Sequence, residues 1–110
     1  MDAFTAIQLN AYLEHIRKDY AVWHVSGGSR REIREDMIAE FNASVRVEEG
    51  RKYYKVIERN SVHSFICKED MGRFKRGDIL KAASWSAPAK NFARGNILLG
   101  TWGAVRWTGA

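Results

Sequence analysis

The sequence predicts a single α+β domain, two N-terminal amphipathic helices packed on a mostly antiparallel sheet of four to five strands. Three observations predict it. Apolar residues recur at helical spacing as far as Phe41. From Val45 the period changes to two, and the residues become β-branched and aromatic. The connections between the strands are too brief for parallel crossovers. At 110 residues, 45% of them hydrophobic, the chain has the length of one domain over 1–110, helical over 1–43 and β-rich and basic over 44–110. Four Trp, four Tyr and five Phe supply enough large apolar surface to offset the entropy of ordering it.

The first helix rests on Leu9, Leu13, Ile16 and Tyr20, spaced by four, three and four, with Tyr12 beside them. It starts either at Asp2, whose carboxylate accepts a first-turn amide, or at Thr5 with Gln8 three residues on. Ser26-Gly27-Gly28-Ser29 breaks the pattern, and Ser29 with Glu32 forms a capping box for a second helix. The apolar face of that helix is Ile33, Met37, Ile38 and Phe41. Val45 and Val47 open the first strand, and Glu48-Glu49-Gly50-Arg51 turns the chain into a second, Lys52 to Arg59. Tyr54 and Val56 lie on one face of the second strand and Tyr53, Lys55 and Ile57 on the other, so both faces carry apolar weight. After a reversal at Asn60 and Ser61, Val62 to Lys68 places His63, Phe65 and Cys67 on one side and Val62, Ser64 and Ile66 on the other. Gly77-Asp78 leads into Ile79 to Ala83. Ser84 to Asn96, which holds the one proline, reads as an ordered loop with room for a helical turn. Ile97 to Leu99 and Ala104 to Thr108 complete the strands.

The net charge of +5 is unevenly spread. Residues 1–50 carry six Lys or Arg against nine Asp or Glu, whereas residues 51–110 carry twelve against four. Arg73, Lys75, Arg76, Lys81, Lys90 and Arg94 face a single acid, Asp78, within residues 73–94. Such a segment attracts phosphates, acidic protein surfaces or anionic lipid heads, or else simply keeps the surface soluble. No membrane is expected as a partner, because Thr5, Gln8 and Asn10 interrupt the N-terminal apolar run well short of the roughly 20 residues a span needs. Asp2 stands where a secretory leader has a basic region, so a cytoplasmic location is expected. Cys67 is the one cysteine, which excludes an internal disulfide and fits a reducing compartment.

Catalytic and metal chemistry is not expected. His63 and Cys67, four apart on a straight strand, are separated by about 13 Å at roughly 3.3 Å per residue, too far for a thiol and base pair. His15, His24, His63 and Cys67 lack the close ligand spacings of a zinc site. The acid pairs Glu48-Glu49 and Glu69-Asp70 fall in solvated turns. The run Ser26 to Arg31 before a helix can hold a phosphate, yet it lacks a preceding strand and a phosphate-loop lysine, so an interhelical turn is the simpler reading. Neither a catalytic residue, a metal nor a cofactor is therefore assigned.

The run Gly77-Asp78-Ile79-Leu80-Lys81-Ala82-Ala83-Ser84-Trp85-Ser86-Ala87-Pro88-Ala89-Lys90-Asn91-Phe92-Ala93-Arg94-Gly95-Asn96 resembles a segment of small proteins of tailed bacteriophages. These carry similar lysine-alanine-alanine-serine-tryptophan, alanine-proline-alanine-lysine and alanine-arginine-glycine-asparagine steps. Tyr53-Tyr54-Lys55-Val56-Ile57 and Ser61-Val62-His63-Ser64-Phe65 resemble them too, so the likeness covers residues 50–107. It implies a phage gene product acting in the infected bacterial cell, and it brings no catalytic residues with it.

Physically, this loop has the composition of a nucleic-acid surface: Lys81, Lys90 and Arg94 neutralise phosphates, Trp85 and Phe92 stack on bases, and Asn91 reaches base edges or sugars. Arg73, Lys75, Arg76 and Arg106 extend the set. The competing reading has Trp85 and Phe92 pinning the loop to the sheet while the cations stay in water. Strand phase puts Trp102, Ala104 and Arg106 on one face and Val105 and Trp107 on the other, leaving one tryptophan available to a ligand. The partner expected is DNA or RNA, bound with little sequence preference. The rival is an acidic bacterial host protein that the phage product modulates, the third reading is a virion or assembly component, and self-association stays open.

Overall fold

Asp2 starts the first helix: its Oδ1 accepts the Thr5 backbone N–H at 2.8 Å, which satisfies one of the donors a helix start leaves open. The computed structural model describes residues 1–25 and 31–110. Helix α1 (Ala3–Val25) buries Leu9, Tyr12, Leu13, Ile16 and Tyr20, the face its spacing predicts. Its other face is not polar throughout, since Phe4, Ile7, Val22 and Trp23 are exposed, so α1 is less amphipathic than expected. In α2 (Arg31–Ser44), Phe41 stacks on Tyr20 with ring centroids 3.8 Å apart and planes 3° from parallel. Ile38 packs against the same cluster and Met37 is half-buried. The expected Ser29–Glu32 cap, the Ile33 contact and the phosphate-holding run at 26–31 lie outside the described residues.

Strands β1 (Arg46–Glu49), β2 (Tyr53–Glu58), β3 (Ser61–Cys67) and β4 (Ile79–Lys81) form one antiparallel sheet in the order β1-β2-β3-β4. Arg59 and Asn60 join β2 to β3, with Arg59 at φ 53°, a conformation that costs a non-glycine residue about 1 to 2 kcal/mol. Tertiary contacts offset it: the Arg59 guanidinium donates to the Tyr20 hydroxyl at 2.9 Å and lies over the Tyr20 and Phe41 rings, clamping the hairpin to both helices.

Both sheet faces are covered, as the apolar weight on both sides of β2 requires. Tyr54, Val56, Ile66 and Ile79 share the inner core with α1 and with Phe41. Phe65, Cys67, Phe74 and Leu80 form an outer cluster, closed by Tyr53, Met71, Ala82 and Ala93. One strand changes phase. Val56 pairs with Ser64 but Ile57 pairs with Val62, so His63 is an extra residue in β3, a bulge. The expected alignment of His63 with Phe65 and Cys67 is therefore corrected: His63 turns inward with Ser64 toward Tyr12, and Val62 joins the outer cluster.

The sheet stops at four strands. Residues 97–100 form a turn rather than a strand, and residues 104–108 contribute only an isolated bridge between Arg106 and Gly109. Their alternation has another cause, because this last segment wraps over α1. His15 and His63 each donate from Nε2, to the Val105 and Arg106 carbonyls, both at 2.7 Å, and Trp107 N–H donates to Asp19 at 2.8 Å. Trp102 and Trp107 both pack on the inner core, against Tyr12 and Tyr20 respectively, so the expected division of the two between faces fails. Residues 84–96 are ordered without a helical turn.

Candidate nucleic-acid interface

The segment that opens at Gly77 and closes at Asn96 is clasped at its ends. Ile79 N–H donates to Gly95 O at 2.8 Å, Arg94 N–H to Ile79 O at 2.7 Å, and Ile97 N–H to Gly77 O at 2.9 Å. Asn96 fills the junction: its Nδ2 donates to Arg76 O at 2.9 Å and Asp78 Oδ1 at 3.0 Å, while its Oδ1 accepts from Leu98 and Leu99. Gly95 sits at φ 149°, and a Cβ there would lie 1.8 Å from Thr101 O, so no other residue fits. Residues 82–94 thus form an Ω-type loop, compact with its ends together, a form often functional. Ser84 Oγ accepts from the amides of Ser86 and Ala87, Ala89 N–H donates to Lys81 O at 2.7 Å, and Arg73 donates to the carbonyls of Lys90 and Asn91.

This scaffold presents two rings to solvent, Trp85 at 48% and Phe92 at 56% exposure. Each has a cation on it: Lys55 Nζ is 4.7 Å from the Trp85 ring centroid, and the Arg94 guanidinium is 4.0 Å from that of Phe92. Arg94 Nε is buried without a hydrogen-bond partner among the described residues. Two depressions of about 220 and 410 Å³, each bordered by one residue of the loop, share Lys52 and Tyr53. Lys55, Phe65 and Ser86 border the first, and Arg73, Phe74 and Lys90 the second. Glu49 at the rim of the first is offset by Lys68, whose Nζ lies 2.7 Å away and holds that carboxyl below its usual range.

The ten residues singled out from the sequence divide. Arg73, Trp85, Lys90, Asn91, Phe92 and Arg94 belong to this loop or its support. Arg76 is committed elsewhere, bonded to Asp2 and to Thr5 Oγ1 at the start of α1. Lys75 lies in the turn that Asp78 closes by accepting its amide at 2.8 Å. Lys81 points to a separate hollow beside the C-terminal residues, and Arg106 lies 3.8 Å from Asp19. Among the described residues the ammonium groups of Lys75, Lys81 and Lys90 have no ion-pair partner. Lys52, Tyr53 and Lys55 were missed, because they lie some thirty residues earlier and reach the loop only through the sheet; the alternation that put Tyr53 and Lys55 on one face of β2 was the available signal.

One arrangement invites a catalytic reading and does not sustain it. Ser64 Oγ is 2.8 Å from His63 Nδ1 and 2.8 Å from the Tyr12 hydroxyl. With His63 Nε2 donating to Arg106 O, a neutral ring leaves Nδ1 as acceptor, so the chain runs Tyr12 O–H to Ser64, Ser64 O–H to His63, His63 N–H to carbonyl. Tyr12 and Ser64 are wholly buried, burial pushes His63 down to about 4, and no substrate reaches the hydroxyl. The three groups satisfy one another. Cys67 lies on the opposite face, buried, its thiol pushed up to about 11 by burial. Among the described residues no three His, Cys, Asp or Glu side chains converge as metal ligands, and no helix is long and apolar enough to cross a membrane.

These features define a small α+β domain that presents a basic, aromatic loop on the outer face of its sheet. The chain belongs to a family of unknown function, DUF7717, whose model matches residues 4–109, helices and sheet alike. No curated protein and no solved structure matches it.

Proposed function

We propose that this is a non-catalytic nucleic-acid-binding protein with little sequence preference, phage-encoded and acting in the cytoplasm of the infected bacterium. One observation carries the binding reading: a clasped loop holds two half-exposed rings, each with a cation against it, with exposed Lys90 and Asn91 between them in the chain. Cations for phosphates and ring faces for bases are the two requirements of sequence-tolerant binding. The likeness of residues 77–96 to tailed-phage proteins supports the origin, and the burial of Ser64, His63 and Cys67 supports a role without chemistry.

Labelled oligonucleotides at two salt concentrations test it. Affinity falls steeply with salt, and charge reversal at the exposed Lys90 weakens every sequence alike and flattens the salt dependence, whereas reversal at Lys81, which points to a separate hollow, changes binding less. Absence of binding at low salt overturns the proposal. That result favours docking on an acidic host protein, a reading with its own observation in the exposed apolar side chains of Phe4, Ile7 and Leu99.

A further inference from the structure

Resting on that nucleic-acid reading, we infer that the ligand of this surface is a single strand, DNA or RNA, whose unpaired bases stack on Trp85 and Phe92. None of the cations and rings of the surface lies on a helix: α1 ends at Val25 and α2 at Ser44, and the first of those cations is Arg51. A closed duplex offers phosphates on the outside and base edges in its grooves, read by an inserted helix or β-ribbon. Here the loop 82–94 lies over the outer sheet face and offers ring faces, which a base can meet only when it has left its stack. The cations are placed for this use. The Arg94 guanidinium lies 4.0 Å from the centroid of the Phe92 ring, whose surface is 56% exposed. Lys55, which borders the first depression, lies against Trp85.

The loop also has its shape before any ligand arrives. Arg73 holds the carbonyls of Lys90 and Asn91, Asn91 Oδ1 accepts the Phe92 amide at 2.8 Å, and Ser84 caps the turn that carries Trp85. The backbone that carries the rings does not have to be ordered on binding, which lowers the entropic cost of stacking. The two depressions meet at Lys52 and Tyr53, and their charge is mixed with a basic excess: Arg51 and Lys55 beside Glu48 and Glu49 in the first, Arg73 and Lys90 beside Glu69 in the second.

The test compares the full chain with short oligo(dT), short oligo(rU) and a duplex of equal length, by anisotropy at about 50 and about 200 mM salt. Binding to either single strand at least about tenfold tighter than to the duplex supports the inference. Trp85→Ala and Phe92→Ala should each weaken single-strand binding roughly 5- to 100-fold, with the salt dependence unchanged because no phosphate contact is lost. Trp85→Tyr keeps a stacking face and should retain most of the affinity, whereas Trp85→Leu keeps apolar bulk without one and should behave like Trp85→Ala. Melting temperatures within a few degrees of wild type across these variants separate lost contact from lost fold. Ring variants that leave single-strand affinity unchanged, or equal affinity for duplex and single strand, overturn the inference while phosphate binding still stands. Failure of every oligonucleotide to bind at low salt overturns the nucleic-acid reading itself.

Discussion

The two faces of the sheet treat polar groups in opposite ways. On the inner face, Tyr12, Ser64, His63 and His15 are consumed in hydrogen bonds that end on the carbonyls of Val105 and Arg106. On the outer face, Lys90 has no ion-pair partner among the described residues and the Arg94 guanidinium rests on a ring instead of an acid. Both sets contain residues associated with function, but only the second has capacity left for a ligand. A histidine near a serine is weak evidence of chemistry until its remaining valences are counted, because a buried polar group has to be satisfied by something.

The largest expected effect breaks the outer face at its clasp. Gly95→Ala sets a methyl group 1.8 Å from the Thr101 carbonyl, at φ 149°, where backbone rather than a flexible side chain must yield. The expected loss exceeds about 4 kcal/mol, seen in thermal melts as a fall of roughly 15 to 30 °C or as failure to fold. A melting temperature within a few degrees of wild type would show that the loop is not clasped there.

The inner face is tested by pH. Burial pushes the His63 ring down to about 4 from 6.5, so between those values the unfolded chain takes up a proton that the native ring refuses, and stability falls as pH drops. Glu58, 8% exposed with Oε2 unpartnered among the described residues, is pushed up to about 7 from 4.5, again by burial. Its native form gains the proton first, so its contribution rises as pH falls from about 7 to 4.5. The two oppose each other between about 6.5 and 4.5, and urea titrations of the wild type should show a plateau there with a decline below it. Below the plateau Asp2 adds to the decline, its carboxyl held at about 2 by the amide and hydroxyl of Thr5 and by Arg76. Glu58→Gln removes one side of the balance and should expose the His63 slope, up to about 3 kcal/mol between pH 6.5 and 4. A flat profile in Glu58→Gln would mean that His63 does not resist protonation.

The contrast between the faces also explains what the sequence made legible. The inner stripe of α1 and the two-sided apolar pattern of β2 are local periodicities, and both were readable because burial selects residues at the period of the element. The His63 bulge was not, since an extra residue in a strand leaves no mark in the side-chain types on either side of it. The terminal segment imitated a strand because Val105 and Trp107 both face inward, although what they face is α1 rather than a neighbouring strand. In the candidate site, Trp85 and Phe92 were singled out from composition alone, and both rings are exposed. The engagement of Arg76 with Asp2 and Thr5 was not legible, because those partners lie more than seventy residues away and no spacing rule reaches them.

A smaller effect follows at Cys67, which shares the outer cluster with Phe65, Phe74 and Leu80 yet lies beneath the surface. Cys67→Ser buries a hydroxyl where a thiol packed as a small hydrophobe, at a cost of about 1 to 3 kcal/mol. Nucleic-acid binding should be unchanged. With its thiol pushed up to about 11, the cysteine should react slowly with thiol reagents until the protein unfolds. Rapid modification of the folded protein together with loss of binding would place Cys67 in the site instead.

The smallest expected change in stability is at Trp85, and it sharpens the comparison most when set beside Trp107. Trp107 meets Tyr20 edge-on with centroids 4.9 Å apart, has Phe41 at 5.9 Å and Arg59 over its ring, so Trp107→Ala removes a shared contact of both helices and the hairpin. The expected cost is about 3 to 5 kcal/mol. Trp85 has Lys55 against its ring and leaves nearly half its surface in water, so Trp85→Ala forfeits a cation–π contact worth about 0.5 to 1 kcal/mol at an exposed site and the packing of only the sheltered half of the side chain. Thermal melts of the two variants should therefore differ by more than about 10 °C although each loses the same side chain. Were Trp85→Ala to melt as low as Trp107→Ala, Trp85 would be part of the packing of the outer cluster. The rings of the loop would then serve the fold, as those of the inner face do, and the cations alone would be left to hold a ligand.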